Sequence, residues 1–126
     1  MIDMHCHLLW NVDDGPKTIE ATMNMLEQAV KEGITTLIAT PHSNHPQYDV
    51  NYETVINQIG LLQNELQNQS IPLTLYSGHE VRLSEKIMER YHTKQIHTLA
   101  NSHYLLLELP ADTIPSYTKH IIHALL

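Results

Sequence analysis

The sequence predicts an α/β fold with parallel strands, about four βα units that amount to half of a (β/α)8 barrel. Three observations predict it. Four short runs rich in β-branched or alternating apolar residues read as strands. A segment with helical apolar spacing follows each run, and that βαβα order calls for parallel strands with helices packed outside. The chain has 126 residues against roughly 250 for a complete barrel, and it stops in an apolar helical stretch, HIIHALL, without a closing turn. The expectation is one partial domain over residues 1–126, the C-terminal half of the barrel missing.

The first strand is expected from Ile2 to His7, and the second, ITTLIAT at 34–40, runs into Pro41-His42. The third, PLTLYSG at 72–78, leads into His79-Glu80, and the fourth, HYLLLEL at 103–109, is stopped by Pro110. Thr18 to Lys31 puts Ile19, Met23, Leu26 and Val30 on one helical face, with Gly33 where a C-terminal cap belongs. Residues 51–69 carry Val55, Ile59, Leu62 and Leu66 at similar spacing. Residues 84–92 predict a shorter helix with Ser84 as N-cap ahead of Ile87 and Met88, and Tyr117 to Leu126 a last one.

Composition narrows the function. An apolar fraction of 42% and a charged fraction of 17% belong to an ordinary globular chain. A net charge of −7 argues against nucleic acid as a partner, and it obstructs any phosphate-bearing substrate unless bound cations reverse the local sign. The single cysteine, Cys6, excludes an internal disulfide and a cysteine-rich zinc module. No run reaches the about 18 apolar residues of a membrane span, so no membrane insertion is expected. The start lacks the features of a signal peptide, which makes the cytoplasm the natural location.

The chemistry lies at the strand ends. Residues i and i+2 of a strand share a face, so Asp3, His5 and His7 are expected on one polar face and Ile2, Met4, Cys6 and Leu8 on the apolar other. Two imidazoles so placed can chelate one metal, although H-x-H alone is weak evidence. Asp13 and Asp14 follow in the next loop, either of them a ligand while its neighbour caps the turn. His42 comes directly after the second strand, Glu80 after the third, and Glu108 near the end of the fourth. Barrel enzymes assemble their sites at these carboxyl ends. Histidine and carboxylate without thiolate suit manganese, iron or zinc. Glu108 is embedded in YLLLELP, where an unpaired charge is costly; its bland reading is a carboxylate paired with an arginine.

The stretches MIDMHCHLLWNVDDGPKT, LIATPH, GHEVR and NSHYLLLELP, in this order, resemble the polymerase-and-histidinol-phosphatase (PHP) family. Within it they look like the manganese-dependent tyrosine phosphatases of bacterial capsule and exopolysaccharide loci. The resemblance runs from Met1 to Leu126 and implies a distorted, TIM-like β/α barrel. It implies His5, His7, Asp14, His42, Glu80 and Glu108 as metal ligands in a cluster of up to three Mn2+ ions, with Glu80 bridging two of them. The family's remaining ligands, a histidine in an H-P-E-R-like motif and a late D-x-H, have no counterpart, nor has that motif's phosphate-binding arginine.

The activity so implied is hydrolysis of phosphotyrosine on a partner tyrosine kinase by metal-activated water. No cysteine nucleophile is needed. Substrate contacts fall to His45, Tyr48 and Arg82, with Tyr52 beside Tyr48 on the rim; a solvated loop histidine and an arginine paired with a carboxylate are the bland readings of His45 and Arg82. His79 is expected to point away from its neighbour Glu80 and to be structural, and His92, His97, His103, His120 and His123 to lie on surfaces or helix ends. Two alternatives stay open. The same metal ligands could serve a small phosphate ester such as histidinol phosphate, or the chain could be an inactive fragment. Its open sheet edges would favour pairing with another copy.

Overall fold

The computed structural model describes residues 1–126. The strands are β1 (Ile2–Cys6), β2 (Thr36–Ala39), β3 (His42–Ser43), β4 (Thr74–Ser77), β5 (Glu80–Arg82) and β6 (Leu106–Glu108). The helices are α1 (Ile19–Lys31), α2 (Tyr52–Asn68), α3 (Ile87–His92) and α4 (Thr118–Leu125), with a 3-10 turn at Leu99–Asn101. All strand pairs are parallel. No helix is long and apolar enough to cross a membrane.

Two of the four expected strands are each followed by a second, unexpected short strand. The strands form two three-stranded sheets, ordered β1-β2-β4 and β3-β5-β6. The break after β2 falls at Thr40-Pro41, where proline has no N–H to give the ladder. Pro41 still accepts the Glu80 N–H through its carbonyl at 3.0 Å, which starts the second sheet. The break after β4 falls at Gly78, where an added Cβ would lie 3.1 Å from a Leu99 methyl; the bare backbone lets the 3-10 turn pack closely. In the second sheet His42 stands in register with Glu80. Two residues expected to follow strands therefore open new ones, paired with each other.

The first strand departs from simple alternation. Its register with β2 runs Ile2↔Thr36, Asp3↔Leu37, then Cys6↔Ala39, so β1 carries one extra residue between Asp3 and Cys6. That bulge moves Asp3 off the expected face of His5 and His7. Asp3 instead lines the helix-side groove with Cys6, Met25 and Leu37. Ile2 and Met4, expected to pack against helices, are 62% and 59% exposed, because β1 pairs with β2 alone and nothing covers its outer edge.

Helix ends follow from local chemistry. Thr18 caps α1 by accepting the Ala21 N–H. Gly33, at φ +90°, ends it, with Gly33 N–H donating to Val30 and Ile34 N–H to Ala29. The same pair of bonds closes α2 and α3 with Ser70 and Lys94 in the left-handed position. The buried face of α1 is Thr22, Leu26 and Ala29, rotated from the expected one, and Ile19 is exposed. Thr22 is tolerated there because its hydroxyl donates to Leu8 O at 2.7 Å. Along α2, Val55, Leu62 and Leu66 are buried as spaced. Ser84 is not a helix cap: α3 starts at Ile87, and Ser84 Oγ accepts from Lys86 N and Asn44 Nδ2.

The core divides with the sheets. A cluster of 12 buried residues, including Leu8, Leu26, Leu37, Val55, Leu62 and Leu75, sits between the first sheet and α1 and α2. A cluster of 5, Val81, Leu83, Ile87, Ile96 and Ile121, joins the second sheet to α3 and α4.

Candidate metal centre

The carboxyl end of the first sheet meets the starts of β3 and β5 at Glu80, itself buried. Its Oε2 lies 2.7 Å from His7 Nε2, 3.2 Å from His5 Nε2 and 3.6 Å from His42 Nδ1. Three imidazole nitrogens from two sheets thus converge on one carboxylate oxygen. Glu80 Oε2, despite the 2.7 Å approach of His7 Nε2, and His42 Nδ1 are nevertheless buried without a well-directed hydrogen bond. Orphaned polar atoms at such a depth are costly, and a shared cation is a partner that suits both.

Asp13 and Asp14 divide the roles left open by their sequence. Asp13 is buried, and its Oδ1 accepts the Gly15 N–H at 2.9 Å, which closes the DDG turn. Its Oδ2 stands 3.0 Å from His7 Nδ1 and accepts the His42 N–H at 3.1 Å. Asp14 is exposed, with Oδ1 3.3 Å from His42 Nε2 and 3.7 Å from His7 Nδ1. With Nδ1 donating to Asp13, His7 keeps its Nε2 lone pair for Glu80's side of the site, the arrangement by which an outer carboxylate orients a metal-binding histidine.

The hydrogen bond that His7 donates to Asp13 raises the His7 pKa above its ordinary value, against an opposing effect of burial and with help from the Asp13 and Glu80 carboxylates. Burial pushes Asp13 up, but its bonds to His7, Gly15 and His42 outweigh that and hold it below the usual carboxylate range. Burial, reinforced by Asp3, pushes the Cys6 thiol up to about 11, so it carries no thiolate at neutral pH.

Glu108 is placed between two partners. Its Oε1 is 3.3 Å from Arg82 Nη1, the arginine pairing given as the bland reading of both residues. Its Oε2 stays 3.8 Å from His42 Nδ1, facing the cluster. Arg82 is correspondingly committed to Glu108. His45 and Tyr48 stand beside His42, with ring centroids 4.5 Å and 5.8 Å from it.

Three groups have ligand atoms within 4.8 Å of one another: His5, His7 and Glu80; His7, Asp13, Asp14 and His42; His42, His45 and Glu108. They overlap at His7 and His42, forming a continuous strip of nitrogen and carboxylate donors without thiolate. Such a donor set fits a divalent metal of the manganese, iron or zinc kind.

Other residues fall outside the strip. Tyr52 does not share the rim with Tyr48: its hydroxyl is 2.8 Å from Ser77 Oγ and its ring stacks on His97. His79 is fully buried and points away from Glu80, donating from Nε2 to Val50 O at 2.8 Å and accepting the His97 N–H at Nδ1. Burial lowers its pKa to about 4, so it stays neutral. The orienting role of Asp13 was missed; its signal was the aspartate two residues ahead of Gly15, a turn-former whose second oxygen remains free for the site.

The family described as "Capsular polysaccharide synthesis, CpsB/CapC" matches residues 1–126. The chain is 38% identical to the putative tyrosine-protein phosphatase CapC of Staphylococcus aureus, over 99% of its own length and 49% of that protein's. It is 34% identical to tyrosine-protein phosphatase YwqE of Bacillus subtilis (strain 168), with the same coverage of 99% and 49%. Its fold superposes on a structure from the work describing YwqE of Bacillus subtilis and CpsB of Streptococcus pneumoniae as metal-dependent tyrosine phosphatases, with a TM-score of 0.94 and 34% identity. That match covers 99% of this chain and 51% of the solved one. The chain thus spans about half the length of the curated relatives it matches. It is a mixed α/β protein with parallel strands, and it belongs to the CpsB/CapC family of capsular polysaccharide synthesis.

Proposed function

We propose that residues 1–126 are the N-terminal half of a PHP-type β/α barrel, a single partial domain whose complete form hydrolyses phosphotyrosine on a protein. The observation that carries this reading is the convergence of His5, His7 and His42 on the orphaned Glu80 Oε2. The ligands proposed are His5, His7, Asp14, His42, Glu80 and Glu108, which would hold up to three Mn2+ ions. Bound metal supplies an acidified water and positive charge opposite the phosphoryl oxygens, which offsets the chain's net charge of −7.

The chain's own residues do the positioning. Asp13 fixes the His7 tautomer and ties its loop to His42 through a backbone bond. Arg82 holds Glu108 by one oxygen and leaves the other toward His42. The in-register pairing of His42 with Glu80 sets their separation by the strand ladder. The partner proposed is a phosphotyrosine-bearing bacterial tyrosine kinase, which the relatives' names as tyrosine phosphatases and the capsule-synthesis family support, and the location proposed is the cytoplasm.

The test is metal content and turnover together. Wild-type chain dialysed against Mn2+ should retain the metal and His5→Ala should retain less, by elemental analysis. Hydrolysis of a phosphotyrosyl peptide should be slow in the isolated chain, exceed that of histidinol phosphate, and fall further in His5→Ala. Unchanged metal content in His5→Ala, or preference for the small ester, would contradict the reading.

A further inference from the structure

His45 belongs to the donor strip by distance, with a ring nitrogen within 4.8 Å of ligand atoms of His42 and Glu108. Its hydrogen bonding says otherwise. The backbone N–H of Gln47 donates to His45 Nδ1 at 3.0 Å. That uses the Nδ1 lone pair and leaves the hydrogen of the neutral ring on Nε2. A metal ligand needs a lone pair, and His45 has none free. His7 is the reverse case: its Nδ1 faces the Asp13 carboxylate and its Nε2 is free to ligate. Within one row of imidazoles, then, His7 offers an acceptor and His45 a donor.

The loop that carries His45 is held rigidly. The His45 N–H donates to Tyr48 O at 3.0 Å. The Asn44 N–H donates to Asp49 Oδ1 at 2.9 Å, and Arg90 Nη2 reaches both Asp49 oxygens at 2.9 and 3.0 Å. Asn44, at φ +61°, also donates from Nδ2 to Ser84 Oγ at 2.9 Å. The three rings form a compact cluster beside the strip: His42 to His45 at 4.5 Å, His45 to Tyr48 at 5.5 Å and His42 to Tyr48 at 5.8 Å, the last pair nearly parallel at 17°. Both His45 and Tyr48 remain partly open to solvent.

We infer that the 44–49 loop is the recognition element for an aryl phosphate: His45 Nε2–H donates to a phosphoryl oxygen, and the Tyr48 ring flanks the aryl group. This rests on the phosphatase reading above and deepens it. A preset N–H donor costs nothing to reorient when an anion arrives, and a bond to a charged oxygen is among the stronger neutral-donor contacts.

The experiment uses the 126-residue chain loaded with Mn2+, titrated calorimetrically with orthophosphate and with the phosphonate analogue of phosphotyrosine, in which CH2 replaces the ester oxygen. His45→Ala should keep the wild-type manganese content while both ligands bind roughly tenfold or more weakly. Tyr48→Ala should weaken the phosphonate alone and leave orthophosphate unchanged. His45→Gln, which restores an N–H, should recover phosphate affinity, and His45→Glu should not. That last pair carries the test if the alanine variant fails to fold. Manganese lost with His45→Ala would make His45 a ligand and overturn the inference. So would unchanged phosphate affinity, or wild-type chain that binds manganese but no phosphate. Wild-type chain that binds no manganese would overturn the phosphatase reading and this inference with it.

Discussion

Asp13 Oδ2 stands 3.0 Å from His7 Nδ1 and at the same time accepts the backbone N–H of His42. One buried carboxylate oxygen thereby aligns a side chain from the end of β1 with the start of β3. Replacing Asp13 with Asn keeps the shape and removes the charge that holds His7 in its ligating tautomer. Manganese affinity of Asp13→Asn should fall by about 10- to 100-fold, the usual cost of losing such an orienting partner. Calorimetric titration with Mn2+ checks this, and affinity within twofold of wild type would deny Asp13 the role.

Gly15 lies in the same turn. A Cβ there would sit 2.5 Å from His7 O and 3.2 Å from Asp13 Oδ1. Gly15→Ala should therefore destabilise the chain by about 1–3 kcal/mol, since neither contact can yield without moving the turn. Gly60 is the control: it lies inside α2 with nothing within 4 Å of an added Cβ. Gly60→Ala should stabilise by up to about 1 kcal/mol through helix propensity. Urea unfolding of both variants should show shifts of opposite sign.

Ser70 and Lys94 hold the left-handed positions that Gly33 holds at the end of α1, with φ of 55° and 60°. Side chains pay a steric cost in that conformation. Ser70→Gly and Lys94→Gly should each raise stability by about 0.5–1 kcal/mol, the difference left after glycine's greater freedom in the unfolded chain. Thermal melts rising by a few degrees would bear this out; unchanged or lower melts would count against it.

Asp49 gives the pH dependence. Burial pushes its carboxyl up, but the Asn44 N–H and the Arg90 guanidinium hold it below its ordinary value. A carboxyl depressed in the folded state adds stability above its unfolded pKa of about 3.9 and loses it as pH falls through the lower folded value. Wild type should exceed Asp49→Asn in stability at pH 6, and the gap should close below about pH 4. Because Asp49 is half-exposed, high salt should narrow the gap as well. A gap that widens with acid would reverse the assignment.

Much of this was legible in the sequence. Parallel strands followed from the alternation of strand-like and helix-like runs, and the α2 face of Val55, Leu62 and Leu66 lies where its spacing put it. What stayed hidden is set by tertiary contact. Strand periodicity treats β1 as regular, and only pairing with β2 reveals the extra residue that turns Asp3 toward α1. Spacing places His42 and Glu80 after strands, and only the ladder shows that they face each other. The sequence brought His5, His7, His42 and Glu80 forward as candidates, and the fold brings them together at one oxygen. It could not choose between Asp13 and Asp14, because adjacent residues differ here by which way a turn aims them. It offered an arginine partner or the metal site for Glu108, and only the fold shows one oxygen on Arg82 and the other facing His42.

The division of the molecule into two sheets has a thermodynamic consequence. His5 and His7 extend from the sheet backed by the larger apolar cluster, while His42, Glu80 and Glu108 belong to the sheet backed by the smaller one. A cation coordinated by both sets acts as a rivet across a seam that backbone hydrogen bonds only partly close. Chelation would then do more than empty a site. It would free the smaller sheet to open ahead of the larger, and metal occupancy would set whether the chain unfolds in one step or two.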